Sequence, residues 1–130
     1  YIVKVATGEL KELSVYGDDY DTQDGTGVRD YIHVVDLAKA HIKAIEWTLK
    51  NEGIDVFNIG TGQGYSVLEI INAFEKVNKV TVPYKIVSRR KGDVASCYAD
   101  TSYAKEKLGW KSIYGIEDMV KDAYNFAIKN

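Results

Sequence analysis

The chain opens on an apolar stretch, Tyr1 to Leu10, that reads as a helix or an extended piece with no polar start and no cap. Such an opening suggests a segment cut out of something larger. Leu13-Ser14-Val15-Tyr16 reads as a short strand, turned by Gly17-Asp18-Asp19, and Tyr20 to Gly27 as a polar loop. Asp30 to Val35 predicts a second extended piece. Asp36 is a candidate N-cap for a helix through about Asn51, with Leu37, His41, Ala44, Ile45, Thr48 and Leu49 on one face, and Gly53 ends it. Val56 to Ile59 reads as a compact strand and Gly60 to Tyr65 as a tight loop. Ser66 and Glu69 form a capping box ahead of an apolar stripe at Val67, Ile70, Ile71, Phe74 and Val77. Val82 to Ser88 alternates as a strand, with Pro83 marking an edge, and Ala95 to Ala99 is a short extended piece. Thr101 starts a brief helix that Gly109 stops. Ile116, Met119, Val120, Ala123 and Ala127 mark a final amphipathic helix. Short strands between helices predict a mixed α/β (α+β) domain over residues 1–130.

Composition narrows the function. The 130 residues are 45% hydrophobic and 28% charged, ordinary for a folded domain. No apolar run approaches the ~18 to 20 residues of a spanning helix, and no signal peptide is visible, so no membrane partner is expected and the cytoplasm is the default. The net charge of −2 argues against nucleic acid as a partner. Cys97 is the single cysteine, so no internal disulfide forms, and no Cys/His cluster offers a metal site. Of 17 basic residues only Arg29, Arg89 and Arg90 are arginines, the side chain whose planar fork grips phosphate or carboxylate in two places.

Several motifs read more plainly than they first look. Gly60, Gly62 and Gly64 miss the dinucleotide spacing, because Tyr65 stands where a glycine is needed and no acidic residue follows at the ribose position. Tyr103 and Lys107 form Y-x-x-x-K on a short polar helix among ten tyrosines, a surface coincidence. His33 and His41 have no nucleophile at a catalytic spacing. Asp18, Asp19, Asp21 and Asp24 lack the EF-hand pattern and read as a solvated turn. Arg29, beside a glycine-containing loop, and Arg90, ahead of Gly92, are the best ligand candidates. They could grip a diphosphate between them, or each could make a surface ion pair worth about 0 to 1 kcal/mol. Both readings stand on composition alone.

The strings Leu13-Ser-Val-Tyr-Gly-Asp-Asp-Tyr, Asp24-Gly-Thr-Gly-Val-Arg-Asp-Tyr-Ile-His-Val, Phe57-Asn-Ile-Gly-Thr-Gly-Gln-Gly-Tyr-Ser-Val, Arg89-Arg-Lys-Gly-Asp-Val-Ala-Ser-Cys-Tyr-Ala-Asp and Leu108-Gly-Trp resemble UDP-glucose 4-epimerases, which are extended short-chain dehydrogenase/reductases. The resemblance runs in order along the whole chain. It covers only the C-terminal, substrate-binding part of that family and lacks most of the Rossmann domain. The resemblance therefore implies binding without catalytic residues. Ser14, Val15 and Tyr16 would form the strand edge that meets uracil, Arg29 and Arg90 would clamp the diphosphate, and Asp93 would accept from the ribose. Tyr31 would help pack the nucleotide. Cys97 falls where the family has a tyrosine or a smaller residue facing the sugar, which implies room for N-acetylated UDP-hexoses. NAD would be bound mainly by the missing N-terminal domain, the partner would be a UDP-sugar, and the full-length enzyme would be a homodimer. The rival readings are a related sugar-nucleotide dehydratase, decarboxylase or uronate epimerase, and a non-catalytic UDP-binding or interaction module. Apolar surface that meets the NAD domain in the family should be exposed here.

Overall fold

The computed structural model describes residues 1–129. Along the chain run α1 (Ile2–Ala6), β1 (Leu13–Tyr16), β2 (Val28–Asp30), α2 (Val34–Thr48), β3 (Gly64–Ser66), α3 (Val67–Asn78), β4 (Tyr84–Val87), β5 (Ser96–Cys97), α4 (Ser102–Leu108) and α5 (Ile116–Lys129). The apolar stripe predicted for α3 does bury: Ile71 and Phe74 meet Val5 of α1, Val15 of β1, Val82 and Val120 of α5 in one core. A second cluster joins Ala40 of α2 to Ala104 and Leu108 of α4 and to Trp110.

Two small sheets carry the loops. β1 and β4 pair in parallel, Val15 opposite Ile86. β2 is the centre of a three-stranded sheet, antiparallel to β3 and parallel to β5, with Arg29 opposite both Tyr65 and Cys97. The Ser66–Glu69 capping box forms as its spacing predicts, with Glu69 N–H donating to Ser66 Oγ at 3.0 Å and Ser66 N–H donating to Glu69 Oε2 at 2.7 Å. α4 stops at Gly109 in the left-handed conformation, φ 62°.

Other expectations are corrected. The extended piece ends at Asp30, not Val35, and α2 starts at Val34 with His33 as its N-cap, Nδ1 accepting from Val35 N–H at 3.1 Å. Asp36 lies inside the helix, fully buried, where one carboxylate oxygen accepts the N–H groups of Ile113 and Tyr114 at 2.9 Å each. Its side chain therefore fastens the approach to α5 by hydrogen bonds rather than capping α2. The other ring nitrogen of His33 meets Asp122 of α5 at 3.2 Å, a second tie between the same elements. Val56 to Ile59 joins no sheet, while Gly64 to Ser66, inside and just after the expected loop, does. Gly64 can pair there because a Cβ would lie 2.5 Å from Val28 Cγ1. Along α2, Leu37, Ile42 and Ile45 remain exposed, as do Leu49 at its C-cap and Ile54 and Val56 beyond it.

Candidate functional site

β1 ends at Tyr16 and β4 at Val87, so the loops that follow leave from the same end of the sheet. Leu13 N–H donates to Pro83 O at 2.8 Å and Gly17 N–H to Val87 O at 2.9 Å. In a parallel ladder the peptide groups that face one neighbour alternate. With Leu13 and Gly17 turned to β4, those of Ser14 and Tyr16 face the other, unpaired edge. That edge opens on a cleft of about 540 Å³. Val15 lines it as well, with its side chain buried in the core.

Arg29, Tyr31, Arg90 and Asp93 line the same cleft with Ser14, Val15 and Tyr16. Seven of the eight residues expected at a ligand site thus share one concavity. Cys97 does not line it; it is exposed on β5, beside Arg29 in the strand register. The cleft also takes in Tyr1, Leu10, Glu12, Tyr20 and Gly27, none of which the sequence singled out. No motif signals them: Tyr1 and Leu10 come with α1 and the segment after it, Glu12 precedes β1, and Tyr20 and Gly27 come from the loop between β1 and β2.

The three arginines differ in what holds them. Arg29 makes no ion pair among the described residues; its Nη1 donates to the carbonyl of Val28 at 2.7 Å and of Ala95 at 3.5 Å. The ion-pair alternative therefore does not describe Arg29. Arg90 stacks on the Tyr16 ring, 4.3 Å from its centroid, and its Nε lies 3.4 Å from the carboxylate of Asp93. A largely exposed pair of that kind holds little, so the Arg90 fork remains available to an anion. Arg89 points elsewhere, into an ion pair with Asp19 at 2.6 Å. Burial pushes the Tyr31 phenol up, against the opposing pull of Arg29, so it stays neutral beside the cleft.

The sheet that carries Arg29 is fixed by its neighbour Asp30. That carboxylate accepts from Thr61 Oγ1 at 2.6 Å, Thr61 N–H at 2.9 Å, Gly62 N–H at 3.0 Å and Ala99 N–H at 3.2 Å. A Cβ at Gly60 would lie 2.4 Å from Asp30 Oδ2, so the close approach requires glycine. The N–H groups a phosphate would use in a glycine-rich loop are already taken. Asp24 does similar work in the loop before β2, accepting from Thr26 N–H at 2.9 Å and bonding the Ser66 hydroxyl. The Y-x-x-x-K pair is elsewhere: Tyr103 donates to Asp55 at 2.9 Å, and that hydrogen bond holds its phenol above the ordinary range, opposite to what a tyrosine base needs.

This small mixed α/β unit has the fold of the C-terminal part of extended short-chain dehydrogenase/reductase epimerases. The chain belongs to the GDP-mannose 4,6 dehydratase family, whose model it matches over residues 1–123. Among curated relatives, UDP-glucose 4-epimerase of Bifidobacterium longum is 58% identical over 130 residues, which are 100% of this chain and 38% of the relative. The crystal structure of UDP-glucose 4-epimerase from Bifidobacterium longum, in complex with NAD+ and UDP, superposes with a TM-score of 0.95 at 58% identity over 100% of this chain and 38% of that one. The enzyme from Stenotrophomonas maltophila, solved with bound NAD and formylated UDP-arabinopyranose, gives 0.96 at 50% identity, covering 99% of this chain and 38% of that one. The chain thus spans well under half the length of these relatives.

Desolvation raises the Asp30 carboxyl, but its hydrogen bonds, that from the Thr61 hydroxyl foremost, outweigh this and hold it below the usual range. Its contribution to stability is therefore present above the unfolded value of about 3.9 and lost as pH falls through the folded one. Asp30→Asn is expected to flatten the acid limb of the stability curve below about pH 4. Urea unfolding across pH 2 to 7 measures this; an unchanged acid limb would contradict it.

Proposed function

We propose that this chain is the UDP-holding portion of a UDP-glucose 4-epimerase, binding UDP-glucose and UDP-galactose for epimerisation at C4. The observation that carries the reading is the meeting of Arg29 and Arg90 on one cleft beside the open edge of β1. Two guanidinium groups suit a diphosphate, each through charge-assisted hydrogen bonds. The free N–H and C=O groups of Ser14 and Tyr16 suit the alternating donor and acceptor edge of uracil. Asp93 suits a ribose hydroxyl, and Tyr31 the packing of the nucleoside. Anchoring the UDP moiety supplies binding energy remote from the reacting carbon and leaves the hexose free to turn.

The glycine-rich loop of this chain does not suit NAD. The glycine-rich loop at 60–64 has its N–H groups engaged by Asp30, and Gly60 has no space before that carboxylate. NAD is assigned instead to the portion of the relatives' length that this chain does not span, so the chain contributes binding and not chemistry. The exposed apolar residues Leu37, Ile42 and Ile45 of α2 and Leu49 at its C-cap support such a neighbour, since unshared apolar patches mark contacts. A homodimer of the complete enzyme and a cytoplasmic setting belong to the same reading; no helix among the described residues is long and apolar enough to cross a membrane.

Titration calorimetry is expected to show UDP binding more tightly than GDP, with Arg29→Ala and Arg90→Ala each weakening UDP about 10- to 100-fold. Equal affinity for the two nucleotides, or indifference to both substitutions, would overturn the uridine diphosphate reading. The resemblance at Cys97 predicts that the complete enzyme turns over UDP-N-acetylglucosamine and that Cys97→Tyr removes that activity while keeping UDP-galactose turnover. Product analysis by chromatography decides it; unchanged N-acetyl turnover in the tyrosine variant would show that Cys97 does not set the space.

A further inference from the structure

Arg89 has no place in the ligand site, yet its partners connect the two loops that frame it. Its Nε donates to Asp19 Oδ1 at 2.6 Å, its Nη2 donates to the Asp19 carbonyl, and its guanidinium lies over the Tyr20 ring, 4.0 Å from the centroid. Tyr20 is buried and lines the cleft. Gly17 leaves the space for this stack: a Cβ there would lie 2.7 Å from Arg89 Cγ and 2.8 Å from Tyr20 Cε2, and its φ of 87° suits glycine. The loop being held is itself stiff, with Tyr20 N–H donating to Gly25 O at 2.8 Å and Thr22 Oγ1 to Thr26 O at 2.7 Å.

The adjacent arginines therefore stack on two different tyrosines, Arg89 on Tyr20 and Arg90 on Tyr16, both from the chain around the end of β1. With β4 ending at Val87, the arginines sit on a short connection that closes by Asp93 N–H to Arg90 O at 3.2 Å. Pinning Arg89 to Asp19 and Tyr20 fixes the chain one residue before Arg90. From this geometry we infer that Arg89 is a positioning residue: it clamps the segment after β4 to the loop after β1 and so presents the Arg90 fork to the anion in the cleft. The inference rests on the UDP reading above and adds a residue that does not touch the nucleotide. A planar fork suits this role, because a guanidinium lays its face on Tyr20 while its edge donates to the Asp19 carboxylate and carbonyl, and the compact ammonium of a lysine has no such face.

A double-mutant cycle on UDP affinity, read by calorimetry with circular dichroism confirming the fold, tests it. Arg89→Ala and Arg89→Lys should each weaken UDP about tenfold, and Arg89→Ala should cost almost nothing further in an Arg90→Ala background. Asp19→Asn, which keeps Arg89, should weaken UDP in the same direction and also add nothing to Arg90→Ala; it carries the test if Arg89→Ala does not fold. Wild-type affinity in the Arg89 and Asp19 variants, full rescue by lysine, or losses that add to that of Arg90→Ala would overturn the positioning role while leaving the UDP reading intact. No UDP uptake by the wild-type chain would overturn both.

Discussion

The parallel pairing of β1 with β4 is the constraint on which the site depends. It brings together segments about 70 residues apart in sequence, and it does so with both strands pointing the same way. Their ends, and the loops that leave them, then fall on one side of the molecule. Tyr16 ends β1, Gly17 and Tyr20 come from the loop after it, and Arg89, Arg90 and Asp93 from the segment after β4. The same pairing uses only one edge of β1. The other edge keeps its peptide groups unpaired, and those groups face the cleft. An antiparallel pairing would have sent the loops to opposite ends and left no such site. The core beneath makes the pairing firm, since Val15 is buried against Ile71, Phe74 and Val82.

The second support is the carboxylate of Asp30. It gathers N–H groups from the 60–62 turn and from Ala99. In doing so it ties β2 to the segment after β5, while the Arg29 side chain, on β2, donates to the carbonyls of Val28 and of Ala95, the residue before β5. Arg29 thus arrives at the cleft without a carboxylate partner. A cation left in that state is best suited to a ligand that brings its own negative charge. Arg90 differs: it stacks on the Tyr16 ring and keeps a loose ion pair with Asp93 at 3.4 Å. The two forks are held by unlike means and serve one opening.

Much of this was legible along the chain, for reasons that are local. Ser66 and Glu69 sit three apart ahead of an apolar stripe, and a capping box needs nothing else. Gly109 ends a helix by its own backbone freedom. Arg29 and Arg90 stood out because arginine is scarce here, and their strings matched a family. What could not be read depended on distant partners. Asp36 looked like an N-cap, but its acceptors' partners at Ile113 and Tyr114 are 77 and 78 residues away. Gly64 looked like loop because nothing local announces that Val28 will lie across from it. Val56 to Ile59 has the composition of a strand and finds no pairing among the described residues. Composition alone does not separate Arg89 from Arg90; the resemblance singles out Arg90, and the stacking of Arg89 on Tyr20 and of Arg90 on Tyr16 gives the two their different places.

Diffraction from crystals of the chain grown with UDP would examine the central claim most directly. The account predicts the diphosphate between the Arg29 and Arg90 guanidinium groups, with charge-assisted contacts of about 2.7–2.9 Å, and the uracil edge against the peptide groups of Ser14 and Tyr16. Ordered UDP seated away from this cleft, or a diphosphate touching neither arginine, would contradict it.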